Sequence, residues 1–460
     1  MPHPAPQTAP SPPCRPSPPV GPPAPKGSAV TVTSPPQDLV DPAVATTQWQ
    51  RALDEAAAAG GGRVSVPAGV HRTGALRLRS GVELHLEAGA LLQFVPDPAL
   101  YLAVEARWEG AVGRVHSPCL YAHGERDVAI TGLGTIDGGG QIWWDTFRHR
   151  REELAHPRPT LIGLHECERV TIRDVALRNS PAWTVHPSLC EDVTLTNLHI
   201  HNPAESPNTD GIDPESCRNV RISDCHIDVG DDCIALKAGT ERTPDRVATE
   251  NVTITGCTMV RGHGGVVIGS EMSGGVRNVV ISNCVFQGTD RGIRLKTRRD
   301  RGGTVENVRV STIVMDDVLC PLTVNPFYFC GPDGKEPHVG DRTARPVDAG
   351  TPHLRSLHLS HLTATNVHAS AGHVFGLPEA PLSDFSLHDV SVTFAAAPRA
   401  AAPEMASGVE ERTRSGIELG FVADGELSRV RVRGADGPAV QTTSCTDLDL
   451  DVRGSDDHHG

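Results

Sequence analysis

The stretch RNVRISDCHIDV, residues 218–229, returns nearly unchanged as ENVTITGCTMVR at 250–261 and RNVVISNCVFQG at 277–288. Each copy runs from a polar residue through Asn-Val, an alternating apolar position and a small polar pair to a further apolar residue. Looser copies precede these at 126–138, 168–179 and 191–202, and one follows at 306–317. Fainter echoes continue at 354–367, 383–394, 425–434 and 445–454. Over the clear copies the spacing is roughly 23–32 residues, the range of a solenoid. One chain is therefore expected to coil so that equivalent strands stack in parallel, about 4.8 Å apart.

Aligning the copies puts Val175, Leu198, Cys225, Cys257, Cys284 and Ile313 at one offset. A position that takes Val, Leu, Cys and Ile interchangeably faces a core, so these cysteines read as small buried hydrophobes. No Cys-x-x-Cys pair or Cys/His ligand cluster stands among the twelve cysteines, and no metal is expected. Asn219, Asn251, Asn278 and Asn307 share a second offset, just before their strands. Asn tolerates left-handed backbone, so a repeated turn is expected there.

Composition agrees with many short strands: 4% aromatics, 46 Gly and 38 Pro in 460 residues. A net charge of −14 argues against nucleic acid or an anionic membrane as partner. No apolar run is long enough to cross a bilayer. Residues 1–28 read as a disordered Pro-rich tail, and 29–460 as one solenoid domain. The start shows no secretory pattern, which as it stands implies a cytoplasmic protein; a mis-assigned start would make it secreted. The segment TTQWQRALDEAAAAGGG (46–62) reads as a helix capped by Thr46 or Thr47 and closed by Gly60, placed to cover the first coil.

Four consecutive coils break the repeat, with SPNTDGIDP (206–214), VGDDCIALK (229–237), RGHGGVVIG (261–269) and DRGIRLKTRRDRGG (290–303). Stacking brings Asp210 one rung from Asp231 and Asp232, His263 one rung beyond, and Arg294 and Lys296 one further. Gly230 offers a bend that turns both aspartates outward. Alone, NTDG or GDD is turn chemistry. In register they make a patch of three carboxylates, a histidine between glycines and a basic pair. Glycoside hydrolysis needs a protonated acid and an ionised base, and crowded like charges separate two carboxyl groups into those roles. The basic pair is the charge that a carboxylated sugar requires.

NTDG, GDD, GHG and RLK, in this order and spacing, resemble the signature motifs of the polygalacturonase family of glycoside hydrolases, family 28. The resemblance extends to HGGVVIGS, GTIDGGGQIWW and NSPAWTVHPSLCEDVTL and covers most of residues 80–320. It implies a right-handed parallel β-helix and metal-independent, cofactor-free, inverting hydrolysis of α-1,4-galacturonosyl bonds in pectic polysaccharide or oligogalacturonides. Carried over by position, Asp231 is the general acid, and Asp210 with Asp232 holds and deprotonates water. His263 tunes the acid, Asn208 shapes the −1 subsite, and Arg294 and Lys296 bind a galacturonate carboxylate. RLK replaces the commoner RIK, a change at the inward residue only. Insertions at about 98–120, 145–160 and 325–350 are expected to wall off one end of a cleft, and with VIGSEMSGGVRNV they resemble the exo-acting bacterial branch. Rhamnogalacturonan or xylogalacturonan hydrolysis, a calcium-dependent pectate lyase and a non-catalytic carbohydrate-binding β-helix remain the alternatives.

Overall fold

The structure is a computed structural model that describes residues 41–331 and 333–454; the Pro-rich segment 1–28 and the His458–His459 pair lie outside them. The chain winds as a right-handed parallel β-helix. Its registers follow the sequence repeat. Val170, Val193, Val220, Val252, Val279 and Val308 pair in succession, and Leu357 and Phe385 continue the row. The alternation along each strand sends these side chains into one continuous apolar core. Removing such a side chain costs about 2–5 kcal/mol through lost burial and the cavity left behind.

Cys225, Cys257 and Cys284 stand buried in that core, and the eleven cysteines among the described residues are all unpaired. The asparagine column is left-handed at each step, with φ of 58°, 57°, 56° and 53° at Asn219, Asn251, Asn278 and Asn307. The side chains form a ladder: Nδ2 of Asn251, Asn278 and Asn307 donates to Oδ1 of the preceding member at 3.1, 3.1 and 2.8 Å.

The helix Pro42–Ala58 lays Ala45, Trp49, Ala52, Leu53 and Ala56 onto the first coil. Its cap is Asp41, not Thr46 or Thr47. The Asp41 side chain accepts from the Ala43 N–H at 2.8 Å, and Pro42 opens the helix at a position where its missing N–H is harmless. Thr46 sits one turn in; its hydroxyl donates to the Pro42 carbonyl and accepts the Gly74 N–H at 2.6 Å, tying helix to coil.

A second stack of strands carries the breaks in the repeat: Leu120–His123, Ile162–His165, Val185–Ser188, Ile234–Leu236, Val266–Gly269, Arg291–Lys296 and Cys320–Asn325. Single bridges through Ile212 and Glu215 fill the gap between Val185–Ser188 and Ile234–Leu236. Two columns of side chains face outward from this site sheet. One passes through Ala235, Val267, Arg294 and Thr323; the other through Glu215, Lys237, Gly269, Lys296 and Asn325. The insertion at 98–120 forms an antiparallel hairpin, Ala103–Trp108 with Ala111–His116, turned at Glu109–Gly110. Among the described residues no helix is long and apolar enough to cross a membrane.

Candidate active site

The three aspartates converge at the turns that feed the site sheet. The Gly211 N–H donates to the Asp232 carbonyl and the Cys233 N–H to that of Gly264, so successive coils stack Asp210, Asp232 and Gly264. One carboxylate oxygen from each of Asp210, Asp231 and Asp232 lies within 4.8 Å of the others. They line a cleft of about 400 Å³ with Asn208, Lys237 and Lys296. Gly230 acts here by close approach, since a Cβ would stand 2.5 Å from the Ser206 carbonyl oxygen. Gly264 likewise clears space: its Cβ would meet Val267 at 2.4 Å and Asp232 Oδ1 at 3.3 Å.

Charge divides the carboxylates. Burial alone would push Asp232 up, but Lys296, Arg294 and Lys237 outweigh it and hold its carboxyl far below the ordinary range. Lys296 Nζ donates to Asp232 Oδ2 at 2.7 Å, while Oδ1 makes no hydrogen bond to the described residues. Asp210 goes the other way. Burial, then Asp213 and Asp231, push it well above the carboxylate range against the pull of Lys237. Asp231 is half-buried and its Oδ1 accepts the Asp232 N–H at 3.0 Å. Nδ1 of exposed His263 lies 3.1 Å from that same oxygen, and this contact raises the imidazole pKa. Asn208, left-handed at φ 52°, accepts from Arg158 Nη2 through Oδ1 at 2.7 Å and faces the cleft.

The basic pair divides as well. Lys296 reaches the cleft, but Arg294 does not: its guanidinium is clamped by Glu404 at 2.6 and 3.0 Å and stands 3.5 Å from Asp232 Oδ1. Arg294 thus stands in a buried ion pair, because a loop near residue 404 folds back over this end of the site. Burial and Arg294 act oppositely on Glu404, and the arginine prevails, holding it at about 2.

Several residues of the site escape the repeat. Lys237 is buried, with Nζ 3.7 Å from Asp210, 3.5 Å from Asp213, 3.5 Å from Glu271 and 4.7 Å above the Trp183 ring. Burial would lower its pKa, yet Glu271, Asp213 and Asp210 raise it well above the ordinary value. Asp213 is driven by burial to about 7 despite Lys237. The sequence reading passed over Lys237; alternation around Leu236 was the one signal that could have turned it outward, and nothing there marked its partners. The hairpin brings Trp108 to stack on Trp183, with centroids 5.0 Å apart, and pins itself through Arg107 to Ser216 and Glu215. Tyr328, from the insertion at 325–350, closes the cleft beside Lys296.

A sequence model described as Glycosyl hydrolases family 28 matches residues 62–399. The chain belongs to glycosyl hydrolases family 28. As a member of family 28 it is a glycoside hydrolase. It is 32% identical over 346 residues to a probable polygalacturonase of Vitis vinifera, covering 73% of this chain and 68% of that one. To the endo-polygalacturonase of Pectobacterium carotovorum subsp. carotovorum it is 31% identical over 326 residues, 68% and 79% of the two chains. Among solved structures, that of a hyperthermoactive exopolygalacturonase from Thermotoga maritima shares 32% identity and a TM-score of 0.68, over 78% of this chain and 85% of that one.

Proposed function

We propose that the protein hydrolyses α-1,4-linked galacturonosyl bonds of pectic polygalacturonate or oligogalacturonides, with inversion and from a chain end. The observation that carries this reading is a cleft whose three aspartates are edged by the Lys296 ammonium, the charge that holds a sugar carboxylate against the reacting bond. The likeness to polygalacturonases supports the bond cleaved. Asp231, exposed to the cleft and turned by His263, protonates the leaving oxygen. Asp232, held ionised by Lys296, Arg294 and Lys237, takes the proton of the attacking water, and Asp210 orients that water.

Inverting carboxyl pairs commonly stand about 6.5–9.5 Å apart, with the water between them. One oxygen of each aspartate lies within 4.8 Å of the others, and in this reading the water sits on the flank, held jointly by Asp210 and Asp232. End-trimming is supported by the hairpin. Trp108 and Arg107 lie across the outer face of the site sheet beside Trp183 and Glu215, which blocks a polymer from continuing past that side.

The test is a time course on polygalacturonate and on tri- and tetragalacturonate, with product sizes and the anomer of the first product followed by proton NMR. Monogalacturonate from the first minutes as the β-anomer, undiminished by a chelator and abolished in Asp231→Asn, is the expected result. A ladder of oligomers would overturn the end-trimming, an α-product the inversion, and an unsaturated product absorbing in the near ultraviolet the hydrolysis itself.

A further inference from the structure

The column of the site sheet that holds Lys237 continues away from the cleft through Glu215, Ser188, His165 and His123, each paired with the next. Two imidazoles and a carboxylate meet at its end. His123 Nε2 stands 3.4 Å from Glu166 Oε2, and His165 Nε2 stands 3.5 Å from Glu166 Oε1. The two rings cross at 71° with centroids 4.8 Å apart, and one donor atom from each residue lies within 4.8 Å of the other two. A tetrahedral ion with bonds of about 2.1 Å sets its donors about 3.4 Å apart, and each imidazole stands near that spacing from its own oxygen of Glu166, so the carboxylate can meet a shared ion through either oxygen or both.

Ser188 engages one nitrogen of His165: its Oγ lies 2.8 Å from Nδ1, which leaves Nε2 facing Glu166. In the tautomer that carries its proton on Nδ1, the Nε2 lone pair is open to a cation held by the carboxylate. Metal-binding histidines are oriented in this way, by a hydrogen bond at the nitrogen that does not coordinate. His165 is mostly covered while His123 and Glu166 are exposed at 43% and 54% of their side chains, which leaves an entry path and an open fourth position.

We propose that His123, His165 and Glu166 bind one divalent transition-metal ion of the zinc class, bridging two coils outside the catalytic cleft. Two imidazoles and one carboxylate suit zinc and its neighbours and are a poor set for calcium or magnesium. Nothing in the hydrolytic mechanism uses these groups, so the ion acts on stability and leaves the chemistry alone.

The experiment is a Co²⁺ titration of the full chain carrying His458→Ala and His459→Ala, which removes the terminal histidine pair as a competitor. The expected result is one saturable equivalent with the visible bands of tetrahedral Co²⁺, displaced by Zn²⁺, and a higher melting temperature with Zn²⁺. His123→Ala and Glu166→Gln, both at exposed positions, each weaken binding at least about tenfold and leave hydrolysis unchanged. Bands that survive both substitutions would overturn the proposal. So would the absence of any band or thermal shift, which would assign the cluster to an imidazolium–carboxylate pair.

Discussion

At the scale of single residues, Lys296 puts one ammonium to two uses. It neutralises Asp232 in the free enzyme and presents the same charge to the cleft. In the proposed reaction, a substrate carboxylate that engages Lys296 draws charge away from Asp232 and makes it a better base, so recognition and activation share one atom. Lys296→Ala is expected to lose a charge-assisted contact of about 1.5–3 kcal/mol, a KM roughly tenfold to hundredfold higher for galacturonides. Steady-state kinetics on trigalacturonate check this, and an unchanged KM would confine the lysine to Asp232. Asp213 offers a second test. Burial keeps it protonated up to about pH 7, whereas the unfolded chain releases that proton near pH 4. Between those values the folded state holds the extra proton, so stability falls as pH rises through the window. Asp213→Asn removes that slope. Its melting temperature relative to the parent is expected to climb from pH 4 to pH 8 in a calorimetric series.

At the scale of elements, each coil is stitched to the next by repeated small devices. Asn278 is held in left-handed backbone and both donates and accepts in the ladder. Asn278→Ala gives up those bonds and strains the backbone, and is expected to cost about 2 kcal/mol in a urea titration. Asn278→Gly relieves the strain and is expected to recover part of that loss. Cys257→Ser buries a hydroxyl in an apolar column, lowering stability while sparing kcat. These devices were legible because they recur: the period exposed the core offset, the asparagine column and the four breaks that hold the aspartates, His263 and the basic pair. The helix cap was misplaced by five residues because two threonines mimic a cap that Asp41 and Pro42 supply. Lys237 was visible only as an alternating position. Glu404, Trp108 and Tyr328 belong to segments without a period, so no neighbouring copy said where they would fold.

At the scale of the whole molecule, the parallel coils make a rigid floor and the insertions decide what reaches it. Trp108 has no counterpart on other coils, yet its stack on Trp183 closes one side of the cleft. Trp108→Ala loses that stack, worth about 0.5–1.5 kcal/mol beyond its burial, and loosens the wall. The expected outcome is a shift from monogalacturonate alone toward mixed oligomers, read by chromatography of early products from polygalacturonate. The Glu404 clamp on Arg294 carries a different lesson, about time. The two residues are 110 positions apart, an interval of roughly 5–20 s at ordinary rates of translation. A ribosome-bound chain that has already wound the catalytic coils holds Arg294 against Asp232 alone. Arg294 acquires its final charge balance only when the returning loop emerges, so a truncated product carries the guanidinium without its Glu404 counterweight.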